Sequence, residues 1–425
     1  MALKVIGCAL IMALPLLPVS AQTSACEAGE DLEIVTSSQA MRAALDADLR
    51  PILADKGVAL ARTERTIAAL RPMDTISLET ENFPGIGLAG EIDNLEVTGR
   101  FSRTWERGGK REAREAVARA GIAVAETERE IIEHDIAHAI ETLYVEAVLL
   151  ERRADLACKR VAISRSLKEI VDRRVEAARD PLLAQARSVT DLARAEAEAL
   201  QYHRLAAERR MTIASMWGRA EDFAIEPGFI ERRLKSGQLD IPGVYSPEFE
   251  KLQAEDRRLA AETELRRAEA VPDVTWSAGV RKFGYREDIG VIAGVTIPLG
   301  TQSQSAAKAA KHRVQQELVA VRERVLRQQL LRQAVNYQRA AQNAQASIRD
   351  IDDVLLPEAI RALDLAQEGY DRGAFSYLEI IDAQRTLAEL REQRLGHIET
   401  FILNEAALSR VTGREDWQSI VETAQ

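Results

Sequence analysis

The sequence predicts an α+β membrane protein made of a tandemly duplicated strand pair with long helices, and three observations carry that reading. The chain resembles itself at a fixed spacing: "WGRAEDF" (217 to 223) echoes "TGREDW" (412 to 417), with Gly218 and Gly413 standing 195 positions apart. Each copy joins two alternating strands to helical stretches far longer than a compact domain needs. The apolar face of those strands has no second sheet to cover it, which leaves lipid as the cover.

The chain opens with Lys4, an apolar run from Val5 to Val19 broken by Pro15 and Pro18, and Val19-Ser20-Ala21 before Gln22. A run of about 15 residues is short for a membrane span, so 1–21 reads as a removed secretory signal. No later run is long and apolar enough for a transmembrane helix. Losing Lys4 takes the net charge from -10 to -11, which argues against nucleic acid as a partner. Interleaved acids and bases suit solvated helix faces. Cys8 leaves with the signal; Cys26 and Cys158 remain, a possible disulfide in an oxidising compartment. Cys26 is alternatively a lipid acceptor, although Thr23-Ser24-Ala25 lacks the Leu that usually opens a lipobox.

Residues 22–50 form an N-terminal segment, 51–230 a first structural repeat, 231–246 a Pro/Gly-bearing linker, 247–413 a second repeat and 414–425 a C-terminal segment. Each repeat starts with a helix, near 51–71 and 247–271; Ser246 caps the latter and Pro247 occupies its first turn. Two strands follow. Val274, Trp276, Ala278 and Val280 alternate with Thr275, Ser277, Gly279 and Arg281, while Leu95, Val97 and Phe101 oppose Glu96, Thr98, Arg100 and Ser102. Four strands cannot close a barrel, and an open edge is costly in a bilayer, so several chains must contribute.

Long helices then run over about 108–178 and 302–371, with Gly108-Gly109 as the first strand-to-helix corner and Pro357 expected to bend the second. Seventy-one residues rise roughly 105 Å. Returning helices occupy 181–217 and 375–412. Low aromatic content, at 4%, suits closely packed coiled helices.

"HDIAH" (134 to 138) sets His134 and His138 one helical turn apart with Glu141 beyond, a spacing that can hold zinc. A zinc hydrolase would need Glu where Asp135 stands, and a surface pair is the blander reading. His203, His312 and His397 stand isolated, and "ERGGKREA" lacks the features of a phosphate loop. Neither cofactor nor catalytic residue is expected. Glu379 and Asp382, three apart, suit a carboxylate pair or an ordinary solvated one.

"GYDRGAFSYLEIIDAQ" (369 to 384), the duplication and the two strand pairs together resemble the TolC-like outer-membrane factors, exit ducts of tripartite efflux pumps in Gram-negative bacteria. "ETENFPGIGLAGEIDNLEVTGRFSRTWERGGKREA" and "VPDVTWSAGVRKF" with "VTIPLG" look most like the branch exporting divalent heavy metals. The resemblance implies a homotrimer with a 12-stranded outer-membrane β-barrel continuing into a 12-helix periplasmic α-barrel tunnel. Its implied partners are outer-membrane lipid, a periplasmic adaptor and an inner-membrane resistance-nodulation-division (RND) transporter.

In that resemblance Glu379 and Asp382 fall on the periplasmic constriction, and three chains gather six carboxylates. In the first repeat Leu183 and Gln185 or Ala186 stand where the acids would be. Arg179, Asp180, Leu182, Tyr370, Arg372, Gly373 and Ala374 are the adaptor-docking candidates at the tips. A duct for organic compounds and a periplasmic coiled-coil adaptor are the alternatives.

Overall fold

The structure is a computed structural model that describes residues 26, 32–82, 95–236, 239–241, 243–284 and 288–413. The expected signal at 1–21, the connection at 83–94 and the segment 414–425 lie outside the described residues. In chain order the elements are β1 (Ile34–Val35), α1 (Ser37–Ala47), α2 (Leu49–Ala68), β2 (Thr75–Glu81) and β3 (Glu96–Trp105). They continue with α3 (Lys110–Glu176), α4 (Leu182–Ser215), β4 (Ala224–Ile225), α5 (Phe229–Ser236) and α6 (Pro247–Glu269). β5 (Val274–Lys282), β6 (Ile289–Thr296), α7 (Thr301–Asp350), a π-turn (Ile351–Leu355), α8 (Leu356–Asp371) and α9 (Tyr377–Thr412) complete the order.

Local chemistry sets many of these boundaries. Asp48 caps α2 by accepting from the Arg50 amide at 2.8 Å, and Ser246 caps α6 by accepting from the Glu248 amide at 3.3 Å. Between β3 and α3 the chain turns through Gly108 at φ +77; a Cβ there would stand 2.8 Å from the Val271 Cβ and 2.9 Å from the Ala268 carbonyl oxygen. α3 is continuous for 67 residues, about 100 Å of rise. The interruption expected at Pro357 takes the form of the π-turn just before it. The Leu356 amide donates to the Ile351 carbonyl, five residues back, because proline removes a donor and crowds the carbonyl four before it.

The chain folds as two compact units. One gathers the described residues up to Ala40, those from Glu141 to Gly237 and those from Ala340 to Leu403; the other takes the intervening stretches. In the first unit, β1 pairs in parallel with β4, Ile34 opposite Ala224. The Tyr144 hydroxyl donates to the Val35 carbonyl oxygen at 2.7 Å and accepts from the Glu226 amide at 3.1 Å. This corrects the expectation of four strands: six occur among the described residues, and two-residue strands are too short for any alternation to announce them. α1 and α5, in stretches read as segment and linker, were also not anticipated. Further along this unit, Leu167, Val171, Ala184, Leu363, Tyr370, Tyr377 and Ile380 form a core at the ends of α3, α4, α8 and α9.

The second unit contains a four-stranded antiparallel sheet in the order β2-β3-β5-β6. Its register lines up Ile76, Phe101, Ala278 and Ala293 in one row and Leu78, Gly99, Val280 and Val291 in the next. Much of that face is bare in the single chain: Ile76 is 85% exposed and Val291 86%. Its opposite face is polar and internally paired; Arg281 donates to the Thr98 hydroxyl at 2.9 Å and bridges Glu81 at 2.9 Å and Glu96 at 3.1 Å. α2 and α7 leave apolar stripes exposed at heptad-like spacing, Leu49, Leu53, Leu60 and Ile67 on one, Val314, Leu318, Val321 and Val325 on the other.

Among the described residues no helix is long and apolar enough to cross a membrane.

Candidate functional site

The tips of the helix pairs α3–α4 and α8–α9 bring together most residues singled out from the sequence. The α8–α9 turn closes with the Gly373 amide donating to the Tyr370 carbonyl oxygen at 2.9 Å and the Ala374 amide to that of Gly369 at 2.7 Å. Gly373 sits at φ +79, the left-handed position that ends a helix this way. The Phe375 ring packs where a Gly369 Cβ would be.

The α3–α4 turn repeats that pattern 195 positions earlier. Ala178 donates to the Val175 carbonyl oxygen at 2.9 Å and Arg179 to that of Arg174 at 2.8 Å. Here the left-handed residue is Ala178, at φ +55. Pro181 and Ser376 then hold matching cap positions, so Glu379 corresponds to Ala184 and Asp382 to Arg187. This corrects the sequence alignment, which set Leu183 and Gln185 or Ala186 opposite the acids; the turn's hydrogen bonds fix the register that short side-chain similarity left loose.

The two tips are fastened to each other by Arg174. Its guanidinium donates to Asp180 through Nε at 2.9 Å and Nη2 at 3.3 Å, and to the Tyr370 carbonyl oxygen at 2.7 Å. It also lies 4.3 Å from the Tyr370 ring centroid. The Tyr370 hydroxyl donates to Asp180, and the Tyr377 hydroxyl to Asp191 at 3.1 Å. The Arg174 hydrogen bonds hold the Asp180 carboxyl below the usual carboxylate range. Burial, reinforced by the acid beside each, pushes both phenols upward.

These contacts sort the docking candidates. Arg179, Leu182, Arg372, Gly373 and Ala374 are exposed. Tyr370 is only 1% exposed and Asp180 is half-buried, so Tyr370 is corrected from a presented residue to an internal brace. The sequence reading missed Leu183, Phe375 and Leu378, which with Leu182 leave four large apolar side chains exposed at the tips. Leu182, Leu183 and Leu378 stand in the first turn of a helix and Phe375 just before one, and an apolar side chain at the start of a helix beside a tight turn was the signal.

Glu379 and Asp382 are exposed but differently employed. Glu379 accepts from the Ser376 amide at 3.0 Å and from its hydroxyl, while the Ser376 hydroxyl oxygen accepts from the Leu378 amide at 3.3 Å. This reciprocal cap starts α9, and its hydrogen bonds lower the Glu379 carboxyl below its ordinary range. Among the described residues the Asp382 side chain makes no hydrogen bond, and its carbonyl oxygen accepts from the Thr386 hydroxyl at 3.0 Å.

Elsewhere, Asp135 pairs with Arg410 at 2.7 Å, and burial with the Arg410 charge pushes the His138 imidazole below its usual range. His134 and His138 belong to no grouping of three or more candidate metal ligands among the described residues. The one such grouping is Cys26, Cys158 and His203. Cys26 and Cys158 are joined as a disulfide, with Cα atoms 5.6 Å apart. His203, isolated in sequence, lies with Nε2 3.3 Å from the Cys158 Sγ.

No family model matches the chain. In sequence it is 26% identical over 326 residues to the cobalt-zinc-cadmium resistance protein CzcC of Cupriavidus metallidurans, covering 73% of this chain and 75% of that one. It is 27% identical over 309 residues to the nickel and cobalt resistance protein CnrC of the same organism, covering 70% of each. The nickel-cobalt-cadmium resistance protein NccC of Alcaligenes xylosoxydans xylosoxydans matches at 24% over 54% of this chain and 53% of that one. Among solved structures, CusC superposes with a TM-score of 0.72 at 15% identity, over 91% of this chain and 94% of that one. The outer membrane protein VceC of Vibrio cholerae gives 0.68 at 17%, over 89% and 96%. The chain shares the fold of CusC and VceC.

Proposed function

We propose that this chain, which shares the fold of CusC and VceC and sequence kinship with CzcC, is a TolC-like outer-membrane factor that serves as the exit duct of a tripartite efflux system for divalent heavy-metal cations. The carrying observation is the bare apolar face of the sheet, where Ile76, Leu78, Trp276, Val280, Val291 and Val295 stand exposed with polar residues on the other side. That alternation suits lipid outside and water within.

The sheet has two unpaired edges, β2 and β6, among the described residues. Three copies joined edge to edge make a closed barrel of twelve strands, which removes the edges that a bilayer cannot accommodate. The exposed stripes of α2 and α7 then pack against neighbouring copies, and the helices of three chains line a periplasmic tunnel of twelve. The step is passive, with no enzymatic chemistry.

At the tips, Leu182, Leu183, Phe375 and Leu378 around the small residues Gly373 and Ala374 suit end-on docking of a periplasmic adaptor, which connects the duct to an RND transporter. Asp382, whose side chain makes no hydrogen bond among the described residues, is the better of the two acids for a cation-favouring constriction. The metal cargo rests on kinship to CzcC, CnrC and NccC.

Membrane fractionation tests the duct: outer-membrane recovery as a trimer is expected, and recovery as a soluble periplasmic protein overturns it. A deletion strain tests the cargo. Sensitivity to cobalt, zinc, cadmium or nickel is expected, whereas sensitivity to organic toxicants alone moves the duct to the organic-compound class.

A further inference from the structure

Cys158 and His203 face each other from α3 and α4, and Cys26 reaches them from a point 132 positions before Cys158. All three candidate ligand atoms lie within 4.8 Å of one another. Cys158 rests against an apolar floor formed by Ala157, Val161, Ala195 and Ala199, with Leu192 and Tyr202 at its margin. Cys26 is exposed, and the other two residues are half-buried. The imidazole contact is unneeded by the disulfide, and it sets a nitrogen ligand beside the sulfur pair.

We propose that, once its disulfide is opened, the Cys26, Cys158 and His203 cluster is a binding site for a soft or borderline divalent cation, held by two thiolates and one imidazole. Tetrahedral coordination with metal–sulfur bonds of about 2.3 Å and a metal–nitrogen bond of about 2.0 Å needs ligand atoms roughly 3.5–3.8 Å apart. The Nε2 to Sγ distance of 3.3 Å is already close to that. The sulfur pair must spread, and exposed Cys26 is the end with room to move. Two thiolates select zinc, cadmium or cobalt(II) over magnesium or calcium. The fourth position faces solvent and takes water.

The chemistry balances with a dithiol as reductant. Two electrons and two protons pass to the protein disulfide, the S–S bond breaks to two thiols, and the dithiol closes to its own disulfide. The cation then displaces both thiol protons and takes the imidazole lone pair. The N-terminal segment is thus tied to α3 either by a covalent bond or by a metal. This resident site is separate from the exported cargo and does not depend on the duct reading.

The test uses the detergent-solubilised full-length chain, reduced with a water-soluble phosphine and titrated with cobalt(II). The expected result is one ion per chain with tetrahedral visible bands and sulfur-to-cobalt charge transfer, absent from the oxidised protein. His203→Gln should weaken binding by at least about tenfold, and Cys26→Ser should abolish the charge-transfer signature. Because the tie is already open in every reduced sample, helical circular dichroism before metal addition separates misfolding from lost ligation. In wild type, bound cobalt should also protect both thiols from alkylation. Reduced wild type without charge transfer, or His203→Gln binding as wild type does, overturns the proposal.

Discussion

The Arg174 guanidinium lies 4.3 Å from the Tyr370 ring centroid while donating to the Tyr370 carbonyl oxygen at 2.7 Å, so one side chain from the end of α3 holds the end of α8 by its ring and its backbone. Asp180 completes the arrangement from the other turn. Arg174→Met removes the charge and every hydrogen bond while keeping much of the volume, and leaves Asp180 with one donor fewer on each oxygen. A loss of about 2–3 kcal/mol of local stability is expected. Hydrogen exchange of the amides in both turns should accelerate by roughly 30- to 150-fold, with the four-stranded sheet unchanged. Unaltered exchange would show that the turns hold without the brace.

Acid should loosen the same turns. The folded Asp180 carboxyl titrates below its unfolded value of about 3.9. Its contribution is therefore complete above that unfolded value and disappears as pH falls through the folded one. Tip amide exchange, corrected for intrinsic rates, should be flat between about pH 5 and 8 on this account and rise only in strong acid. In Asp180→Asn the acid rise should be absent. A rise centred near neutrality would point to a different group.

The two turns share one geometry but not one residue: Ala178 and Gly373 both occupy the left-handed position. A side chain there costs about 1–2 kcal/mol relative to glycine. Gly373→Ala should destabilise its turn by about 1 kcal/mol, and Ala178→Gly should stabilise the other by somewhat less, since glycine also loosens the unfolded chain. Thermal unfolding with tip hydrogen exchange reads both signs. Equal effects of one sign would rule out backbone strain as their cause.

These residues also show what was legible. The long helices, the strand pairs and the break at Gly373 follow from periodicity and a glycine, signals that act locally. Ala178 carries no such mark, because its left-handed backbone is imposed by the hydrogen bonds of Arg179 and by the packing around Arg174. Tyr370 stands among the docking candidates by its place at the turn; its burial depends on α3, 196 positions away. The contact of His203 with Cys158 is likewise tertiary. β1 and β4 offer two residues each, too few for a pattern.

Val314, Leu318, Val321 and Val325 line an exposed stripe on α7 that a neighbouring chain covers in the proposed duct. Leu318→Glu combined with Val321→Glu should turn trimers into monomers in detergent, measured by light scattering after size exclusion, with helicity retained. Leu53→Glu on the α2 stripe should weaken assembly in the same direction. Trimers that survive all three changes would place the interface elsewhere.

Glu379 and Asp382 invite one double variant but should be separated. Glu379 is committed to the Ser376 cap, so Glu379→Ala should fray the first turn of α9, visible as faster exchange at Leu378 and Glu379. Its effect on conductance should be secondary, and Glu379→Gln, which can still accept from the Ser376 amide, should largely restore the turn. Asp382 has no such cap to maintain, so Asp382→Asn should leave exchange unchanged while weakening cation preference and raising conductance in planar bilayers. If Glu379→Gln alone lowers cation preference and Asp382→Asn does not, the constriction belongs to the capping acid and the assignment reverses.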